Sequence, residues 1–168
     1  MLDLTNEKVL LEINARFSDH IKCSSAPYEL LTVEVESTET IRLIKFLKED
    51  SELSFAYLTD LCGIHYPQRI GQELGIVYHL HNMRQNIRIR VKTFLPITNP
   101  KIQSLTSLFK GANWMERETY DFYGIIFEGH PDLRRILNVD DMVAFPMRKE
   151  HPLEDPNRID KKDEYFGR

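Results

Sequence analysis

GIVYHLHNMRQNIRIRVKTF, residues 75–94, decides the fold class. Residues 75–81 and 86–94 alternate apolar and polar side chains and are joined through His81–Gln85, the pattern of a β-hairpin. In its second strand Ile87, Ile89 and Val91 fall on one side and Arg88, Arg90 and Lys92 on the other. Side chains alternate across a strand, so this spacing predicts an antiparallel sheet with an apolar inner face and a basic outer face. Upstream, FAYLTDLCGIHY (55–66) is rich in aromatic and β-branched residues and reads as a strand pair interrupted near Asp60–Gly63. Residues 28–36, YELLTVEVE, read as a further strand in which Leu31, Val33 and Val35 point to one face.

The flanks switch from a period of two to a period of 3.6. Val9, Leu10, Ile13 and Phe17 predict a helix over residues 5–17 with Thr5 as N-cap. Leu43, Phe46 and Leu47 predict a second helix over 39–49, with Thr38 as its cap and Glu39 favourable to the helix dipole. Pro96 and Pro100 end the sheet, KIQSLTSLF (101–109) reads as a short helix, and a last helix covers 112–123, stopped by Gly124. The expected fold class is α+β: helix, strand and helix, then an antiparallel β-meander, a further helix and a long extended C-terminal tail. The division expected is a globular domain over residues 1–127 and a partner-docking tail over 128–168. Residues 147–168 mix both charges with two prolines and few large apolar side chains. Such a stretch buries no core of its own and is ordered by lying on another protein.

A chain of 168 residues with 42% hydrophobic content buries about 70% of its unfolded surface, enough for one core without disulfides or metals. Its 22 basic and 26 acidic residues give a net charge of −4, against a dedicated nucleic-acid binder. Cys23 and Cys62 are its two cysteines and form no CxxC pair, so its thiolates alone complete neither a zinc ribbon nor an iron–sulfur cluster. Two free, buried thiols are expected instead. MLDLTNEKVLLEI (1–13) carries acids where a signal peptide carries a basic region, and no apolar run approaches the ~20 residues a spanning helix needs. The chain is expected to be soluble and to reach a membrane only through another protein.

Chemistry has few footholds. Glu116, Arg117, Glu118 and Asp121 crowd one helix beside Trp114 and Tyr120. They suit either a carboxylate pair for acid–base catalysis or a structural network in which Arg117 meets Asp121 at i,i+4 and Glu118 reaches a basic segment; the second is expected. His65, His79, His81 and His130 with Cys62 could be assembled into a metal site, but strand histidines are more often structural. No GxSxG, GxGxxG or phosphate-binding loop occurs. The Arg88/Arg90/Lys92 stripe reads as a solvated face. Arg134 and Arg135, flanked by Leu133, Ile136 and Leu137, suit a segment pressed against a surface with guanidinium forks on carboxylates. Pro146 to Leu153 repeats that mixture of prolines, basic residues and isolated apolar anchors.

The run Glu116-Arg117-Glu118-Thr119-Tyr120-Asp121-Phe122-Tyr123-Gly124-Ile125, followed by Phe127-Glu128-Gly129-His130-Pro131-Asp132-Leu133-Arg134-Arg135-Ile136-Leu137, resembles one family. It is the C-type, or 30-kDa-type, subunit of the proton-pumping NADH:quinone oxidoreductase, respiratory complex I. The resemblance continues through Pro146–Leu153 and, more loosely, Leu58–Ile64 and Val77–Leu80. Met142 and Ala144 stand where the family usually has tryptophan and glycine, and Glu150-His151 where it has Asp-Tyr. The resemblance implies a peripheral-arm subunit with no catalytic, cofactor-binding or metal-binding residue of its own; FMN, iron–sulfur clusters and quinone lie on other subunits. It implies packing against the large quinone-site (D-type) subunit near the cluster-bearing subunits, at the cytoplasmic face of the membrane and with no nucleic acid partner. The expected interface comprises Glu116, Arg117, Glu118, Asp121, His130, Arg134, Arg135, Arg148 and Lys149. The alternatives are the equivalent subunit of a membrane-bound hydrogenase or other-donor quinone oxidoreductase, and a stand-alone acid–base enzyme.

Overall fold

The first helix, α1 (Asn6–Phe17), begins where Thr5 stops it from fraying: the Thr5 hydroxyl accepts the Lys8 amide at 3.4 Å, and Val9, Ile13 and Phe17 are buried along one stripe. The computed structural model describes residues 4–151. Strands β1 (Ile21–Ser25) and β2 (Leu31–Val35) follow, then helix α2 (Thr40–Glu49), which buries Leu43, Ile44 and Leu47. Thr38 does not cap α2. The Glu39 amide bonds back to the Glu36 carbonyl, which makes Glu39 the residue at the cap position, and no side chain caps the helix.

Strands β3 (Tyr57–His65), β4 (Leu74–Asn82) and β5 (Ile87–Leu95) form the predicted meander, and the sheet order is β1-β2-β5-β4-β3. Two expectations are corrected here. β3 is one strand; its irregularity is a bulge between Leu58 and Asp60, and Gly63 stays in the ladder. The sheet is mixed rather than antiparallel throughout, because β2 pairs parallel with β5, Val33 opposite Val91. α2 and the meander together bring the chain back beside β2, placing the most apolar strands at the sheet centre. Ile89 and Val91 are fully buried there while Arg88 is exposed and Arg90 and Lys92 are half-buried on the opposite face.

The predicted helix over 101–109 is not formed. Lys101–Gln103 is a strand, β6, paired in parallel with β7 (Ile126–Glu128) so that Ile102 lies against Phe127 in the core. Leu105 and Phe109 still bury, from turns rather than helix. Between these strands runs α3 (Ala112–Tyr123), ended by Gly124 at φ 73°, the left-handed conformation that glycine adopts without penalty. α3 packs across β3 at Gly63, where an added Cβ would come within 2.9 Å of three ring atoms of Tyr123. Cys23 and Cys62 are free, as expected, but both are exposed rather than buried, because each lies on an edge strand. Among the described residues no helix is long and apolar enough to cross a membrane.

Candidate functional site

The charged residues of α3 separate into two buried carboxylates and an exposed remainder. Glu116 is fully buried; one oxygen accepts the Leu105 amide and the other the Ser104 hydroxyl, both at 2.6 Å. It ties the turn after β6 to the helix. Burial pushes its carboxyl up to about 7, outweighing the two hydrogen bonds that favour the charged form. A raised carboxyl gives stability that is greatest when protonated and is lost as pH rises from about 4.5 to about 7. Glu116→Gln mimics the protonated form, so it should remove about 2 kcal/mol of the wild-type loss of stability between pH 5 and pH 8. Urea unfolding at both pH values measures this; parallel slopes for the two proteins would refute it.

Asp121, also fully buried, anchors the chain beyond β7. One oxygen accepts Arg135 at 2.7 Å and the Asn138 side chain at 3.0 Å; the other accepts the amides of Ile136, Leu137 and Asn138 at 3.1, 2.8 and 2.9 Å. Burial works to raise its carboxyl, but the Asn138 and Leu137 amides and the Arg135 guanidinium hold it far below the usual carboxylate range. The expected Arg117–Asp121 pair is therefore absent: five donors from the returning chain occupy the carboxylate. Arg117 instead donates to the carbonyls of Arg134 and Arg135, at 3.2 and 3.0 Å. Arg135, whose side chain is 8% exposed, also donates to the carbonyls of Met142 and Ala144. Arg148 donates to the Tyr123 carbonyl at 2.8 Å, near the C-terminal end of α3. Its guanidinium carbon lies 4.6 Å from the centre of the Phe145 ring, with that of Arg135 at 5.3 Å. Residues 129–151 thus form no regular element, yet lie fastened along α3.

Four of the nine expected interface residues remain accessible. Glu118 is exposed with no ion-pair partner among the described residues. Arg134 is 70% exposed and pairs only with Asp132. Lys149 is exposed, with its amide donating to His65 Nδ1 at 2.9 Å. His130 is half-buried, its Nε2 donating to the Asn113 carbonyl while Nδ1 accepts the Asp132 amide. Glu116, Asp121 and Arg135 spend their polar atoms inside the chain, and Arg117 and Arg148 are half-buried and bonded to its backbone. Sequence reasoning missed Val139 and Val143, exposed beside Leu137 and Met147 on the fastened segment, and it missed the fastening residues Asn138 and Phe145. Isolated valines among acids carry no periodic signal.

The other possible chemistry finds no site. His79 accepts from Arg90 at 2.9 Å and lies 3.4 Å from Asp60; burial and Arg90 lower its pKa, keeping it neutral. His81 bonds Asn86, and partial burial together with Asp60 pushes the Cys62 thiol up, away from the reactive thiolate. Among the described residues no three His, Cys, Asp or Glu side chains are grouped to hold a metal ion.

Comparison with known proteins agrees with this geometry. The profile of the family described as "Respiratory-chain NADH dehydrogenase, 30 Kd subunit" matches residues 33–157. The NADH-quinone oxidoreductase C subunit of Rhizobium meliloti, the first of its kind there by name, is 47% identical over 126 residues, 75% of this chain and 62% of that protein. The NADH-quinone oxidoreductase C subunit of Xanthobacter autotrophicus is 36% identical over 151 residues, 90% of this chain and 71% of that one. The chain spans 62% and 64% of the length of the Rhizobium meliloti and Sinorhizobium medicae relatives. Among solved structures, a trypsin-resistant fragment (1–134) of Nqo5 superposes with a TM-score of 0.64 at 29% identity, over 76% of this chain and 98% of the fragment. A chain of an archaeal membrane-bound sulfane sulfur reductase gives 0.72 at 21% identity, over 88% of this chain and 85% of that one, a likeness of fold.

Proposed function

Because the chain belongs to the family of the 30-kDa subunit of respiratory-chain NADH dehydrogenase, we propose that it is a non-catalytic, peripheral-arm subunit of an NADH:quinone oxidoreductase and scaffolds the quinone-site subunit. The assembly would pass electrons from NADH through FMN and iron–sulfur clusters to quinone and couple this to proton translocation at the cytoplasmic face of the membrane. This chain would bind none of those groups. The observation that carries the reading is the fastened segment itself. Leu137, Val139, Val143 and Met147 are 65%, 63%, 93% and 51% exposed on a stretch that Asp121, Arg135 and Arg148 hold in one conformation. Apolar side chains ordered in advance and left open to water favour a permanent partner, because little conformational entropy remains to be lost on docking.

In this reading the nine expected interface residues divide by task. Glu116, Arg117, Asp121, Arg135 and Arg148 build the surface, while Glu118, His130, Arg134 and Lys149 touch the partner. Residues 1–127 would form the globular domain and residues 128–168 the docking tail, of which 152–168 lie outside the described residues. A stand-alone acid–base enzyme is disfavoured, since two of its three carboxylates are buried on internal partners. Arg134→Glu is the test: the purified chain should keep its unfolding midpoint, while its incorporation into the membrane complex falls at least tenfold. Normal incorporation and NADH:quinone reductase activity would overturn this interface. A tagged wild-type chain should also recover cluster-bearing proteins and NADH:quinone reductase activity from detergent-solubilised membranes; recovery without NADH activity would favour an other-donor relative.

A further inference from the structure

We propose that the β3–β4 loop, residues 66–73, is a second and preformed docking point, which seats Ile70 in an apolar pocket of the same quinone-site partner; this rests on the scaffold reading above. Ile70 is 92% exposed. Single apolar residues on a surface are common and mean little by themselves, but they commonly sit on loops free to move. This loop is closed by three backbone bonds: Tyr66 amide to Glu73 carbonyl at 2.7 Å, Arg69 amide to Tyr66 carbonyl at 3.0 Å, and Gln72 amide to Arg69 carbonyl at 2.8 Å. The Glu73 carboxylate then accepts the Gly71 amide at 2.8 Å and the Ile97 amide at 3.0 Å, joining the loop tip to the end of β5.

Arg69, next to the tip, is fixed from three sides. Its guanidinium carbon lies 3.8 Å from the centre of the Phe94 ring, and its nitrogens donate to Glu34 at 2.9 Å and to Gln72 at 3.1 Å. Gly71 takes a φ of 78° with open space around it, which turns the chain sharply after Ile70. The result is an isoleucine held out on a rigid base, the arrangement of an anchor that fills a pocket with little ordering cost. Nothing within the described chain uses the exposed side chain.

The occupant follows from where the loop stands. Tyr66, 44% exposed, directly follows His65, and His65 Nδ1 accepts the Lys149 amide of the fastened segment. The loop base and the end of that segment therefore meet at one hydrogen bond, with Met147 two residues from it. A partner lying along residues 137–149 reaches the loop without changing direction. The recognising surface on that partner is a concave apolar pocket rather than a charged one, because Arg69 is already paired.

Ile70→Asp, Ile70→Ala and Ile70→Val in the full chain, expressed in place of the wild type, test this. The Asp variant should lower the amount of chain recovered in the membrane complex at least tenfold, Ala should lower it less, and Val should match wild type. Wild-type incorporation of Ile70→Asp would overturn the proposal. If Arg134→Glu still blocks assembly in that case, the scaffold reading stands and only the second contact is lost. A photocrosslinking residue at position 70 of the otherwise unchanged chain identifies the contact directly. A crosslink to the quinone-site subunit supports the proposal; a crosslink to other subunits only, or to none, overturns it.

Discussion

Asp121→Ala is expected to release residues 129–151 from α3 and to destabilise the chain by about 3–5 kcal/mol, the cost of removing one partner from a buried ion pair. Arg135 would be left with its guanidinium against carbonyls alone, and the amides of Ile136, Leu137 and Asn138 would lose their shared acceptor. The effect should appear twice. Urea unfolding should report the lost stability, and limited proteolysis should open new cleavage sites between residues 129 and 151 while the sheet stays protected. Arg135→Met should behave more mildly, because the backbone amides still satisfy Asp121. An unaltered cleavage pattern in Asp121→Ala would show that the carboxylate is not what holds the segment. The pH dependence has a definite sign. A carboxyl depressed in the fold contributes stability that is present above its ordinary value of 3.8 and is lost as pH falls through the depressed one. The segment should therefore remain attached in mild acid, down to about pH 4.

Gly63→Val should cost about 3 kcal/mol, at the upper end of what overpacking brings. The backbone at Gly63 is an ordinary strand residue, paired with Ile76, so the cost comes from space. Its missing Cβ is what allows the Tyr123 ring to lie on β3. The ring has little room to retreat, since Tyr123 is the last helical residue and its carbonyl is held by Arg148. Removing the ring should rescue the substitution: Gly63→Val with Tyr123→Ala should be less destabilised than the sum of the two changes, by about 1 kcal/mol or more, the signature of direct contact. Thermal unfolding of the four proteins closes the cycle. Strict additivity would mean that the helix does not bear on the strand at this point. Since α3 also carries Asp121, a displaced helix should loosen the fastened segment too, and Gly63→Val should assemble poorly although Gly63 faces inward.

Much of this architecture is written locally. Val9, Ile13 and Phe17, or Leu43 and Leu47, recur at the helical period, and burial enforces the same spacing in the fold. The hairpin of β4 and β5 is legible for the same reason at a period of two, as is Gly124 ending α3. The family, too, is carried by a contiguous run, 116–137, in which charged, aromatic and glycine positions follow one another too specifically for a generic amphipathic helix. Where neighbours in sequence are neighbours in space, the pattern suffices.

The remainder depends on partners that sequence spacing does not reveal. Residues 101–103 read as helix because Ile102 and Leu105 are three apart, yet a parallel strand over 126–128 offers Ile102 a place against Phe127 and converts the segment. Val33 meets Val91 only because the meander returns beside β2. At the interface, Arg117 stands four residues from Asp121, and local spacing pairs them; the fold gives Asp121 instead to Arg135, fourteen residues away, with three amides aligned behind it. A carboxylate withdrawn from water takes the arrangement that satisfies the most of its lone pairs, and five donors outweigh one. The sequence by itself thus determined the helices, the hairpin, the family and the list of charged residues. Only the tertiary structure decided which of those charges fasten the chain to itself and which remain to meet a partner, because burial and long-range pairing depend on positions in space that no local period encodes.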